Sequence, residues 1–135
     1  MTVRLPAAEY AKMLRCAERG LPNEVCGLIA GELCGELKIV HRVYPLSNLD
    51  ESPSHFSIDP KEQLAAVRDM RAGGLTPLGN FHSHPNTPAR PSPEDIRLAR
   101  DPQASYLILS LSDPPALRAF HIEQARVTEE ALEIL

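Results

Sequence analysis

The chain is predicted to form a mixed α/β layer fold, one central sheet with two or three helices packed against it. Three observations lead there. YLILSLS at 106–112 is a short, continuous apolar run of the kind a buried strand leaves, and ALRAFHIE at 116–123 follows it closely as its expected partner. Residues 6–19 carry helical periodicity instead, with Tyr10, Met13, Leu14, Ala17 and Leu21 on one stripe and Gly20 as the stop. Between these, Asp59-Pro60-Lys61-Glu62 is a helix start, with an N-cap, a proline at the first position and an acid placed for a capping box.

The other elements follow in chain order. VCGLIAGEL at 25–33 is short, apolar and holds two glycines, which favours a strand. ELKIVHRVYPL at 36–46 is rich in β-branched residues and reads as its partner across a turn at Cys34-Gly35. A polar loop, SNLDESPS, leads to a short strand at 55–58 and then to the helix begun at Asp59, whose stripe is Leu64, Val67 and Met70 and which Gly73-Gly74 ends. A strand at 77–84, a proline-rich loop at 85–91 and a short helix at 92–100 come next. The Asp113-Pro114-Pro115 turn joins the two strands already described, and 126–135 reads as strand followed by short helix.

With 135 residues, 43% hydrophobic and 24% charged, the chain reads as a single globular domain spanning 1–135. A net charge of -4 and the lack of a basic cluster argue against nucleic acid as a partner. No apolar run is long enough for a membrane span, and no basic-then-apolar start suggests a signal peptide. Cys16, Cys26 and Cys34 form no CxxC pair and are odd in number, so the expected compartment is a reducing cytoplasm.

HSHPNTPARPSPED at 82–95 carries the chemistry. On a strand, His82 and His84 share a face while Ser83 points oppositely. Asp95 falls in the first turn of the helix opening at Ser92, and the proline-rich loop returns it towards the strand end. Two imidazoles and a carboxylate are a common catalytic zinc set that leaves a fourth position for water. The bland alternative also has content: two hydrogen-bonded histidines, with Ser92 and Asp95 closing a capping box and together contributing about 1 kcal/mol. A hydrolytic site needs a general base as well, and Glu24, just before the apolar 25–33 segment, is best placed. Glu9, Glu18 and Glu94 fall on helices and read as solvated. Cys26 reads as a small buried hydrophobe rather than a further ligand, and His41, His55 and His121 read as structural.

Glu24, His82-Ser83-His84-Pro85, six residues, Ser92, two residues and Asp95 together resemble the JAMM motif of MPN-type zinc metalloproteases. PNEVCGLIAG at 22–31 and HFSIDPKE at 55–62 are similar to segments of its short bacterial members, so the resemblance extends over nearly the whole chain. A zinc deaminase is disfavoured, since neither HxE nor PCxxC occurs.

The resemblance implies a cytidine-deaminase-like α/β/α fold with a central mixed sheet, and one zinc ion held by His82, His84 and Asp95. It implies that Glu24 takes the proton of the attacking water and delivers it to the leaving amine, while Ser92 donates to the oxyanion. The implied substrate is a ubiquitin-like or sulfur-carrier protein with a Gly-Gly-type tail, cut after that tail, for example to release a C-terminal cysteine. Such a tail is expected to add to a sheet edge by main-chain hydrogen bonds. General ubiquitin-like deconjugation and a non-catalytic MPN-type scaffold are the alternatives. The oligomeric state is left open.

Overall fold

The computed structural model describes residues 1–112 and 114–135, so the expected Asp113-Pro114-Pro115 turn has one residue outside the described set. Seven strands and three helices follow in the order β1 (Thr2–Leu5), α1 (Ala7–Gly20), β2 (Cys26–Cys34), β3 (Leu37–Leu46), α2 (Pro60–Ala72), β4 (Thr76–His84), α3 (Pro93–Leu98), β5 (Ser105–Ser110), β6 (Ala116–Glu123) and β7 (Arg126–Ile134). The expected mixed α/β architecture is present, with parallel and antiparallel pairs in one sheet.

That sheet closes on itself in the order β1-β3-β2-β4-β5-β6-β7, because β1 pairs in parallel with both β3 and β7. The strand at 2–5 was not anticipated from sequence. It has only four residues, and its partners are remote in the chain. Because β1 reaches only Leu37–Ile39 of β3 and Ala131–Ile134 of β7, the rest of those two strands is left without a strand neighbour on that side.

Helix α1 buries Met13 and Ala17 among Val3, Ile29, Val40, Phe81, Leu107 and Leu109, which is the main core. Leu21, expected on the same stripe, is half exposed. On the other face of the sheet, α2 packs Ala66 and Met70 against Ala30, Leu28, Tyr44 and Leu46. Helix α3 meets Ile108, Phe120 and Ile122 through Ile96 and Ala99. The result is helix, sheet, helix, as expected. Bulges in the β2–β3 and β2–β4 ladders shift the register at Ala30, which increases local twist and bends the strands around the core.

Several local expectations need correcting. Residues 55–58 form no strand, and Ile58 makes only a single bridge to Asn48. Leu64 faces solvent, because α2 meets the sheet through Ala66 and Met70 instead. Glu62 closes no capping box: Asp59 accepts from Lys61 N–H at 2.9 Å, while Glu62 accepts from Ser47 N–H at 2.9 Å. Residues 126–134 are strand throughout, with no terminal helix. The turn after β2 is Gly35-Glu36, with Gly35 at φ +62°, and α3 ends at Leu98.

Candidate metal centre

Strand β4 lies between β2 and β5, and its alternation sets Asn80, His82 and His84 on the side that carries α2 and α3. Ser83, between the two histidines, turns to the opposite face and is wholly buried. After Pro85 the chain bends so that the His84 Nδ1 comes within 2.9 Å of the Pro88 carbonyl, which accepts its N–H. Ser92 then caps α3. Its hydroxyl accepts from Asp95 N–H at 3.0 Å, and Asp95 Oδ2 accepts from Ser92 N–H at 2.9 Å.

The capping box and the metal geometry use the same carboxylate. Asp95 Oδ2 lies 3.1 Å from His82 Nε2 and 3.1 Å from His84 Nε2, and the two Nε2 atoms are 3.2 Å apart. Three donors at the corners of a tetrahedron with metal–ligand distances of about 2.0–2.1 Å are roughly 3.3 Å apart. The triangle is of that size, and these three residues are the group among the described residues that can hold a metal ion.

The donor chemistry supports the fit. His84 donates from Nδ1, so its neutral ring presents a bare lone pair from Nε2 towards a carboxylate oxygen. Two acceptors at that range repel unless a proton or a metal ion lies between them. Burial works to lower the His84 pKa, yet its hydrogen bonds to Asp95 and Pro88 raise it on balance. Burial likewise works to raise Asp95, but hydrogen bonds to His82 and His84 hold its carboxyl far below the usual range. The donor set is one that a cation would fit. The other nitrogen of His82, Nδ1, is buried with no hydrogen-bond partner, and its ring stacks on Phe56 with centroids 4.6 Å apart.

Glu24 enters the same face just ahead of β2. Its N–H donates to Ser52 O at 2.8 Å, and its carbonyl accepts from Asn48 Nδ2 at 3.0 Å. The side chain is only 6% exposed, and Oε1 has no hydrogen-bond partner. A buried carboxylate so placed favours its neutral form: burial pushes its pKa up to about 7, with nearby His84 opposing the rise.

The loop at 47–58 supplies residues that sequence reasoning did not single out. Asn48 organises it, donating to Glu24 O and His55 O and accepting from Asp50 N–H and Ser57 N–H. A lone asparagine in a polar loop is a turn signal, and that was the only hint available. His55, read as structural, stands at the cleft instead, with Nδ1 2.7 Å from Glu94 Oε1, so Glu94 is also engaged rather than simply solvated. His41 and His121 pair with Glu32 and Glu123, away from the cluster. Cys26 directs its thiol towards Leu46 O and Ser47 O, and burial pushes its pKa up to about 12. It is fully buried, as expected of a small hydrophobe. A cavity of about 380 Å³ opens beside His82 and Asp95.

Comparison with known proteins agrees with this geometry. The family described as prokaryotic homologs of the JAB domain (Prok-JAB) matches residues 6–123. The chain is 35% identical over 125 residues to the CysO-cysteine peptidase of Mycobacterium tuberculosis, covering 91% of this chain and 84% of that protein. It is 37% identical over 118 residues to the probable TtuB-protein conjugate cleaving protease of Thermus thermophilus, covering 87% and 72%. The solution structure of a protein from Desulfitobacterium hafniense superposes with a TM-score of 0.91 at 52% identity, covering 100% of this chain and 93% of that one. With the expected motif residues gathered at one face and the family match running from α1 to the end of β6, the chain belongs to the Prok-JAB family of JAB/MPN domains.

Proposed function

We propose that this protein, acting as one domain, is a zinc-dependent metallopeptidase that cuts the bond after the C-terminal tail of a sulfur-carrier or other ubiquitin-like protein. The observation that carries this is the triangle of His82 Nε2, His84 Nε2 and Asp95 Oδ2 with a buried Glu24 nearby whose Oε1 has no hydrogen-bond partner. The names of the Mycobacterium and Thermus relatives support the substrate class.

His82, His84 and Asp95 would hold the metal, which when bound supplies a Lewis acid and lowers the pKa of water towards 7. Glu24 takes a proton from the attacking water through its free oxygen and passes it to the leaving amine. A buried carboxyl with an oxygen free of fixed hydrogen bonds is suited to taking up a proton and giving it back. Ser92 keeps its hydroxyl hydrogen available, because the oxygen accepts from Asp95 N–H; it donates to the oxyanion as negative charge develops. Pro88 keeps the His84 ring oriented through Nδ1.

The test is mass spectrometry of a small carrier protein ending in Gly-Gly-Cys after incubation with zinc-loaded protein. Loss of the terminal residue, abolished by chelation and restored by zinc, is expected. A fully zinc-loaded protein that leaves every such extension intact overturns the proposal and favours a scaffold role. A substrate with an isopeptide-linked lysine, in the same assay, tests the conjugate cleavage that the name of the Thermus relative points to.

A further inference from the structure

The cavity of about 380 Å³ beside the metal centre has a chemistry the mechanism above leaves unused. Its sheet and α3 side is apolar, with Leu98, Ala99, Tyr106, Ile108 and Ile122, while His55, Ser57, Gln63 and Glu94 line the opposite side. One polar group stands out among these surfaces. The Asn80 side-chain oxygen, Oδ1, is buried and has no hydrogen-bond partner among the described residues. A carbonyl oxygen kept dry and unpaired costs free energy unless a ligand brings it a donor. The site is therefore equipped for an apolar side chain attached to something with an N–H, which describes a peptide.

The position of Glu24 orients that peptide. Glu24 precedes β2 and does not border the cavity, whose sheet side is formed by β5 and β6 beneath residues 55–58 and Gln63. Glu24 delivers its proton to the leaving amine, so the leaving side lies over β2 and the acyl side lies over the cavity. Asn80 and His82 are two residues apart on one face of β4, a separation of about 6.7 Å along the strand. An extended tail repeats the same period, so alternate side chains fall on one side at that spacing. With the scissile carbonyl at the metal centre, the residue two positions earlier stands over Asn80.

We infer that this cavity is the specificity pocket for the carrier tail: it receives an apolar side chain from the residue just before the Gly-Gly pair, while Asn80 Oδ1 accepts a main-chain N–H of the tail. The inference rests on the peptidase reading for its direction, and its test is separable from that reading because it measures binding of a product peptide. Tail peptides ending X-Gly-Gly with a free carboxylate, X being Leu, Phe, Asp or Gly, are titrated into isotope-labelled, zinc-loaded protein.

The Leu peptide should shift the Asn80 side-chain amide and the Ile108 and Ile122 methyls, and should bind at least about ten-fold tighter than the Asp or Gly peptide. Ala99→Phe, which fills the pocket from the end of α3, should erase the preference. Asn80→Leu should weaken all four peptides alike, with the loss on cleavable X-Gly-Gly-Cys peptides falling mainly on KM. Equal binding of the Leu and Asp peptides, no binding of the Leu peptide, or shifts confined to the β2 side would each overturn the pocket. Tight, selective binding without turnover would leave the pocket standing and overturn the peptidase reading. Turnover indifferent to X would do the reverse.

Discussion

The Ser83 hydroxyl accepts the main-chain N–H of Val25 at 2.8 Å, and the Ser83 N–H donates to Val25 O at 3.0 Å. The residue between the two histidines thus reaches through to the other face of the sheet and fixes the neighbour of Glu24. Ser83→Ala leaves the Val25 N–H buried without a partner, at a cost of about 1–3 kcal/mol. Urea titration should show that loss, and turnover should fall while metal content stays at one equivalent. Ser83→Thr, which keeps the oxygen, should restore both. A full-activity Ser83→Ala variant would mean that Glu24 is held by other contacts.

Glu24 links catalysis to stability. Its pKa is raised by burial from 4.5 to about 7, so between these values the folded, metal-free protein keeps a proton that the unfolded chain releases. That contribution is complete below pH 4.5 and is lost as the pH rises through 7. Glu24→Gln should therefore stabilise the metal-free protein at pH 8, by on the order of 3 kcal/mol, and change little near pH 4. The same variant should bind zinc and lose at least about 100-fold in turnover. Denaturant midpoints at the two pH values settle the first part, and steady-state kinetics the second.

The pair His55–Glu94 ties the 47–58 loop to α3. The hydrogen bond to Glu94 raises the pKa of His55 above its ordinary 6.5. The stabilisation it adds is present below 6.5 and is lost as pH climbs through the raised value. An NMR titration of the His55 ring should place its midpoint above 6.5 in the wild type, and Glu94→Gln should bring it back down. An unchanged midpoint in Glu94→Gln would show that the two side chains do not pair in solution.

A buried lysine outside the His82–His84–Asp95 cluster ties parts of the sheet together. Lys38 Nζ donates to Leu78 O at 3.1 Å, Gln103 O at 2.7 Å and Ser105 Oγ at 2.8 Å, and Ser105 in turn donates to Glu130 Oε1 at 2.6 Å. Burial lowers the lysine pKa, and Glu130 opposes that shift. Lys38→Met strands the Glu130 charge and should cost about 3–5 kcal/mol in a thermal or urea melt. Adding Glu130→Gln should recover part of the loss. If the double variant is weaker than the single one by the full cost of Glu130→Gln alone, the two residues are not coupled.

The cluster that could hold a metal was legible because it is carried by fourteen consecutive residues, with strand alternation placing His82 and His84 and a helix start placing Asp95. Ser92 and Asp95 were open to two readings, and the capping box is there alongside the metal triangle, since one carboxylate oxygen takes part in both. Asn48 and Phe56 were not legible. They act across long chain separations from a loop with no periodicity, so nothing local marks them. The end of the chain shows tertiary pairing outweighing propensity. EEALEIL at 129–135 is rich in helix formers, yet β6 on one side and β1 on the other draw it into a strand.

The pairing of β1 with β7 also dictates an order of events. Thr2 meets Ala131 and Leu5 meets Ile134, so β1 finds one of its two partner strands only after every element between β1 and β7 has been made. Until then β1 and β6 each have a bare side, and two rows of unmatched main-chain groups stand open to other nascent chains. Shutting the ring is the most non-local step this topology contains, and loop-closure entropy makes such steps slow. A four-residue strand at the start of the chain thus governs how long the growing protein is exposed to association with the wrong neighbour.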